Sequence, residues 1–217
     1  MQNKVYVWEV PVRLTHWITF ACLLVLSFTG IYISSPFITP SSGSPYVMGW
    51  MRFIHFVTAY VFVVNIAVRI YWSFAGNRYA NWRAFFPFSS EQTAKLIRQM
   101  FFYALIGKKP APAIGHTPLA GVTYFLIFLL FAVSAITGFA LYSLPNPGGV
   151  MNSLFGWVFS IFSIPMTRLI HHLIMWLLLY FTILHIYISM FLNSVEKSGI
   201  LGSIFDGYKF IDTEKAE

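Results

Sequence analysis

The chain has 217 residues, of which 58% are hydrophobic, 19% aromatic and only 10% charged, with a mean hydropathy of +0.69 and a formal net charge of +7. So much apolar surface excludes a water-soluble globular domain of this size. A single cysteine, Cys22, excludes an internal disulfide or an iron–sulfur cluster held by this chain alone, and the lack of Cys-x-x-Cys-His excludes covalent c-type haem.

Four stretches, near 14–34, 53–74, 119–142 and 168–192, can cross about 30 Å of hydrocarbon, which takes roughly 20 helical residues. They predict an all-α, integral membrane four-helix bundle, one membrane domain over 1–217. Glu9 precedes the first stretch and no small-residue cleavage site follows it, so it reads as an uncleaved anchor. Residues 35–52 are Ser-, Gly- and Pro-rich around 39–45. Loop 75–118 holds Arg78, Arg83, Lys95, Arg98, Lys108 and Lys109. Within it, 91–106 predicts an amphipathic helix on anionic headgroups, with Leu96, Met100, Phe101 and Ala104 opposed by Lys95, Arg98 and Gln99. After the third span, 154–164 is apolar but too short to cross; it fits either the lipid interface or a partner protein.

Lys4, Arg13, Lys197, Lys209 and Lys215 add to the basic side, whereas loops 35–52 and 143–168 carry only Arg52 and Arg168. The positive-inside rule therefore puts the long loop and both termini in the cytoplasm. The positive charge is a topology signal, not a nucleic-acid footprint.

Of six histidines, four sort into two depths. His16 lies in the first turn of helix 1, at the inner end, and His55 opens helix 2 at the outer end. His171 opens helix 4 at the outer end. His185 follows it by fourteen residues, about 21 Å along the axis, and so returns to the depth of His16. At about 100° per residue, His171 falls within roughly 40° of His185, while His172 points nearly the opposite way. The predicted pairs are thus His55/His171 outside and His16/His185 inside, with His172 a neighbour.

Two separated pairs without acid or thiolate do not suit tetrahedral zinc. Bis-imidazole ligation of two b-type haems does suit them, and it leaves no axial position for substrate, so the expected chemistry is electron transfer. Arg13, Arg52 and Arg168 each stand three residues before His16, His55 and His171, on the same helix face and the aqueous side, where propionates would emerge. Arg13 equally fits a basic helix end. Gly30 and Gly138, in Phe28-Thr29-Gly30 and Ile136-Thr137-Gly138, suit either a flat macrocycle or close helix packing. His116, before Thr117-Pro118, suits either a quinone carbonyl or an ordinary surface position. Asn65 and Arg69 could mark a transport pathway, but no intramembrane acid accompanies them, and Arg69 is expected to snorkel from the inner end of helix 2.

Arg69-Ile70-Tyr71-Trp72-Ser73-Phe74-Ala75-Gly76-Asn77-Arg78-Tyr79 resembles the segment closing helix 2 in cytochrome b subunits of membrane-bound nickel–iron hydrogenases. Pro11-Val12-Arg13 with His16-Trp17, Ile114-Gly115-His116-Thr117-Pro118, Thr137-Gly138-Phe139-Ala140-Leu141-Tyr142, His171-His172 with Met175-Trp176, and His185-Ile186-Tyr187 extend the likeness over about 5–210. The resemblance implies a multi-pass subunit of the bacterial cytoplasmic (inner) membrane, with two haem b. It would anchor the hydrogenase small and large subunits and pass their electrons across the outer and then the inner haem to menaquinone or ubiquinone. The hydrogen chemistry would belong to the partner. Where the family pattern has an Arg-Glu-Asp-like cluster after helix 4, this chain has Phe191-Leu192-Asn193, with the acid displaced to Glu196. The bis-histidine plan alone is shared with formate dehydrogenase and thiosulfate reductase cytochromes, which remain the alternative partners; a cofactor-free anchor or transporter is the reading of a different class.

Overall fold

The computed structural model describes residues 2–37, 46–86, 89–103 and 115–212. In chain order the elements are β1 (Gln2–Tyr6), α1 (Val10–Ser34), α2 (Val47–Ala75), a 3₁₀ turn (Trp82–Phe85), α3 (Ser90–Tyr103), α4 (Pro118–Ser143), α5 (Val150–Phe155), α6 (Val158–Ile161), α7 (Ile164–Glu196), α8 (Ile200–Asp206) and β2 (Tyr208–Asp212). Among the described residues α1, α2, α4 and α7 are long and apolar enough to span a membrane.

α4 and α7 begin at polar capping residues ahead of their apolar runs. Pro118 opens α4 where a missing N–H is harmless, and Thr117 Oγ1 accepts from Ala120 N at 3.2 Å. Ser163 starts α7 with an equivalent bond from Met166 N at 3.4 Å. Gly199 and Gly207 flank α8 at φ +71 and +89, a conformation that an L side chain resists.

Burial is reversed relative to a soluble bundle. Thr15, Ser27, Thr29, Asn65, Ser73, Thr137 and Thr167 are buried, whereas Val64, Tyr71, Phe74, Trp176, Tyr180 and Ile183 are exposed. Small and polar side chains let helices approach in lipid, and large apolar ones face acyl chains at no cost.

Two compact units divide the described chain, one of residues 1–18, 65–126 and 184–217, the other of 19–64 and 127–183. The first contains a two-stranded antiparallel ribbon that joins the ends of the chain, with Val5 opposite Lys209 and Tyr6 opposite Tyr208. This ribbon is an addition to the all-α expectation; five-residue strands without strong alternation leave little trace in sequence. Val7 and Trp8 both donate to the Gly207 carbonyl, at 2.8 and 3.1 Å. Val7, Trp8, Val12 and Ala80 form the small core beneath. Glu9 Oε2 accepts from Trp72 Nε1 at 3.0 Å and from Asn77 N at 2.8 Å, and Asn77 Nδ2 donates to Val7 O at 3.0 Å. The motif closing α2 therefore clasps the entry to α1.

The amphipathic segment forms α3, capped reciprocally by Ser89 and Gln92; residues 104–106 of the expected helix lie outside the described residues. Met100 and Phe101 of its apolar face are exposed, whereas Gln99 of the opposite face is buried together with Phe102, which meets Phe191 of α7 at 6.2 Å. In the second unit, the short apolar segment becomes the end of α5 and α6. Phe155 stacks on Phe139 and Val158 is buried, leaving Leu154, Trp157, Ile161 and Phe162 exposed.

Candidate functional site

The second unit holds His55 and His171. Thr29 Oγ1 of α1 lies 2.9 Å from His55 Nδ1, and Thr137 Oγ1 of α4 lies 3.1 Å from His171 Nδ1. The glycine after each threonine faces the same ring: a Cβ at Gly30 would stand 3.4 Å from His55 Cε1, and one at Gly138 only 3.0 Å from His171 Cε1. Both glycines are thus imidazole seats. The Nδ1 of His172 lies 2.9 Å from the Arg168 carbonyl of its own helix.

The first unit holds His16 and His185, with ring centroids 6.2 Å apart and planes at 54°. Two imidazoles on opposite sides of one metal, at about 2.0 Å per bond, stand about 6 Å between centroids. The spacing would let the pair hold one metal between them, and the buried Nδ1 of His16 makes no hydrogen bond. Among the described residues no three His, Cys, Asp or Glu side chains converge, as a closed zinc site demands. The donor set fits haem: neutral imidazoles in pairs, in a helical interior lined by small residues.

A polar cluster lies in the same unit as His16 and His185. The His116 ring packs against Trp8 at 4.7 Å, Phe85 at 5.7 Å and Tyr124 at 4.8 Å, and Tyr124 in turn meets His185 at 6.3 Å. The Arg69 guanidinium sits over Phe85 at 5.7 Å. Its buried Nη1 makes no hydrogen bond. Desolvation favours the neutral ring of His116, and the Arg69 and Lys209 cations add to this, pushing its pKa down to about 3. Burial likewise lowers the Lys209 ammonium, whose Nζ lies 3.4 Å from the Gly115 carbonyl. His116 Nδ1 is buried and unbonded.

Of the arginines, Arg52 and Arg168 are near His55 and His171 in sequence and are exposed. Arg13 instead donates through Nη1 to the Phe205 carbonyl at the end of α8, where a cation complements the helix dipole. Asn65 donates to the Thr15 carbonyl at 3.1 Å, tying α2 to α1. Sequence reasoning alone does not pick out Thr29 and Thr137 as imidazole partners, nor Arg69, Tyr124 and Lys209 as neighbours of His116. A signal for the threonines is present all the same, since Thr-Gly recurs in two spans.

The model of the family described as prokaryotic cytochrome b561 matches residues 7–207. Among curated relatives, the "Probable Ni/Fe-hydrogenase B-type cytochrome subunit" of Rhizobium leguminosarum bv. viciae is 37% identical over 98% of this chain and 92% of the relative. The protein of the same name from Cupriavidus necator is 36% identical, covering 94% and 86%. The "Probable Ni/Fe-hydrogenase 1 B-type cytochrome subunit" of Escherichia coli K12 is 33% identical, covering 94% and 90%. With four membrane-length helices and this match over nearly its whole length, the chain belongs to the nickel–iron hydrogenase B-type cytochrome subunit family.

Proposed function

We propose that this chain is a di-haem b membrane subunit that anchors the small and large subunits of a nickel–iron hydrogenase and transfers their electrons to a membrane quinone, menaquinone or ubiquinone. The observation that carries it is the arrangement of the histidines: one pair in each compact unit, the rings of His16 and His185 6.2 Å apart. His55 and His171 hold the outer haem and His16 and His185 the inner one. Haem b with both axial positions filled supplies a one-electron carrier. Arg52 and Arg168 are the outer propionate partners. Arg13 has a second task at α8, and its buried, unbonded Nε remains for an inner propionate. Both termini and loop 75–118 are cytoplasmic, on the strength of the basic residues.

His116 is the quinone contact. Its unbonded Nδ1, among Trp8, Phe85 and Tyr124, supports a neutral imidazole that hydrogen-bonds a quinone oxygen rather than one storing a proton.

The test is a reduced-minus-oxidised visible spectrum with pyridine haemochrome quantitation on the purified complex. Two b-type haems per chain, both lost when one histidine of each pair is changed to alanine, are expected. A folded protein without haem sinks the proposal.

A further inference from the structure

The hydroxyls of Thr29 and Thr137 have only one way to bond their histidines. Thr29 Oγ1 lies 2.7 Å from the Val25 carbonyl and Thr137 Oγ1 2.7 Å from the Val133 carbonyl, each four residues back in its own helix. Thr15, Thr123, Thr167 and Thr182 make the same back-bond elsewhere, so it is the default of a threonine in these helices. A carbonyl can only accept and a hydroxyl has one proton, so that proton is already committed. The contact to the imidazole must then run from Nδ1–H to Oγ1.

We propose that Thr29 and Thr137 are positioning residues: they hold His55 and His171 in the Nδ1–H tautomer, leave Nε2 of each ring as the lone pair that would bind a haem iron, and would lower the reduction potential of that haem. The proposal rests on the reading that these histidines ligate haem. An imidazole that donates through Nδ1–H is a more basic ligand, and a more basic ligand favours the ferric state. The His16 ring has no such support, since its Nδ1 makes no hydrogen bond. The two haems are therefore tuned differently by the protein, the outer one by a threonine on each axial side.

The variants are Thr29→Val, Thr137→Val, the double valine variant, and the two serine variants, in the full-length chain within its native membrane complex. Valine keeps the shape beside Gly30 and Gly138 and removes only the oxygen. Haem per chain, a potentiometric titration and the low-spin electron paramagnetic resonance signals are recorded. A tenfold loss of ferric over ferrous preference, at the lower end of outer-shell effects, raises the outer potential by about 59 mV per threonine. Serine restores both the potential and the low-spin signal, and the inner haem does not move. Loss of the outer haem in valine but not serine variants points the same way. Two haems with unaltered potentials and signals in the double valine variant overturn the proposal, as does equal disturbance by serine. If His171→Ala removes no haem from the native complex, the ligand reading fails, and this proposal with it, before any threonine is changed.

Discussion

Gly138 leaves no room for a side chain beside His171: a Cβ placed there would stand 3.0 Å from Cε1 of the ring, while the equivalent Cβ at Gly30 would meet His55 at 3.4 Å. The first distance forces the imidazole to shift; the second is ordinary contact. Gly138→Ala is therefore expected to reduce outer-haem content and destabilise the fold by about 1–3 kcal/mol, with Gly30→Ala close to native. Haem quantitation and thermal unfolding in detergent check this. A Gly138→Ala variant as close to native as Gly30→Ala would show that Gly138 is not a tight seat for the His171 ring.

His171 and His172 are adjacent yet differently used, one against Thr137 and Gly138, the other against the Arg168 carbonyl. His171→Ala is expected to abolish the outer low-spin signal and hydrogen-to-quinone electron transfer, while hydrogenase activity with an artificial dye survives. His172→Ala is expected to be much milder. An exchange of these phenotypes would reverse the ligand assignment.

The clasp at the α1 entry predicts a stability effect remote from both histidine pairs. Glu9→Ala removes the acceptor for Trp72 Nε1 and Asn77 N. Hydrogen bonds to a charged group contribute about 1.5–3 kcal/mol each, so a loss of about 2 kcal/mol or more is expected for this part-buried carboxylate. Trp72→Phe removes only the Nε1 donor to Glu9, so it shares one bond with Glu9→Ala, and the double variant is expected to cost less than the sum. Additive losses in a double-mutant cycle would contradict the shared clasp.

His116 predicts a pH dependence with a defined sign. Its folded pKa of about 3 lies below the ordinary histidine value of 6.5, so the unfolded chain binds the extra proton between these values. The stabilising contribution is complete above about pH 6.5 and falls away as pH drops toward 3, at about 1.4 kcal/mol per unit. The groups facing the ring are Arg69 from α2, Tyr124 from α4, His185 from α7 and Lys209 from β2. His116→Leu is expected to flatten the loss of melting temperature between about pH 6.5 and 4.5 relative to native protein. An unchanged slope would show that this ring titrates normally.

The spans are legible in the sequence because a bilayer imposes length and hydrophobicity on it directly, and the histidine pairs are legible because a helix converts spacing into depth and facing. Thr29 and Thr137 stand out only as neighbours of glycine, since a hydroxyl's partner lies on another helix. Polarity alone turns Gln99 outward, yet it is buried, because polarity predicts solvent only when no neighbouring element covers the residue.

By itself the sequence determined the class and the number of membrane-length helices, and it set the expectations for orientation and for which histidines share a level. These depend on local helical geometry and on the cost of polar groups in hydrocarbon. Only tertiary structure decided that β1 and β2 pair as a ribbon, that Glu9 is held by the motif closing α2, that Arg13 serves α8, and that His55 and His171 each rest on a Thr-Gly pair. Those contacts join residues at least 25 positions apart, and no periodicity within one element encodes them.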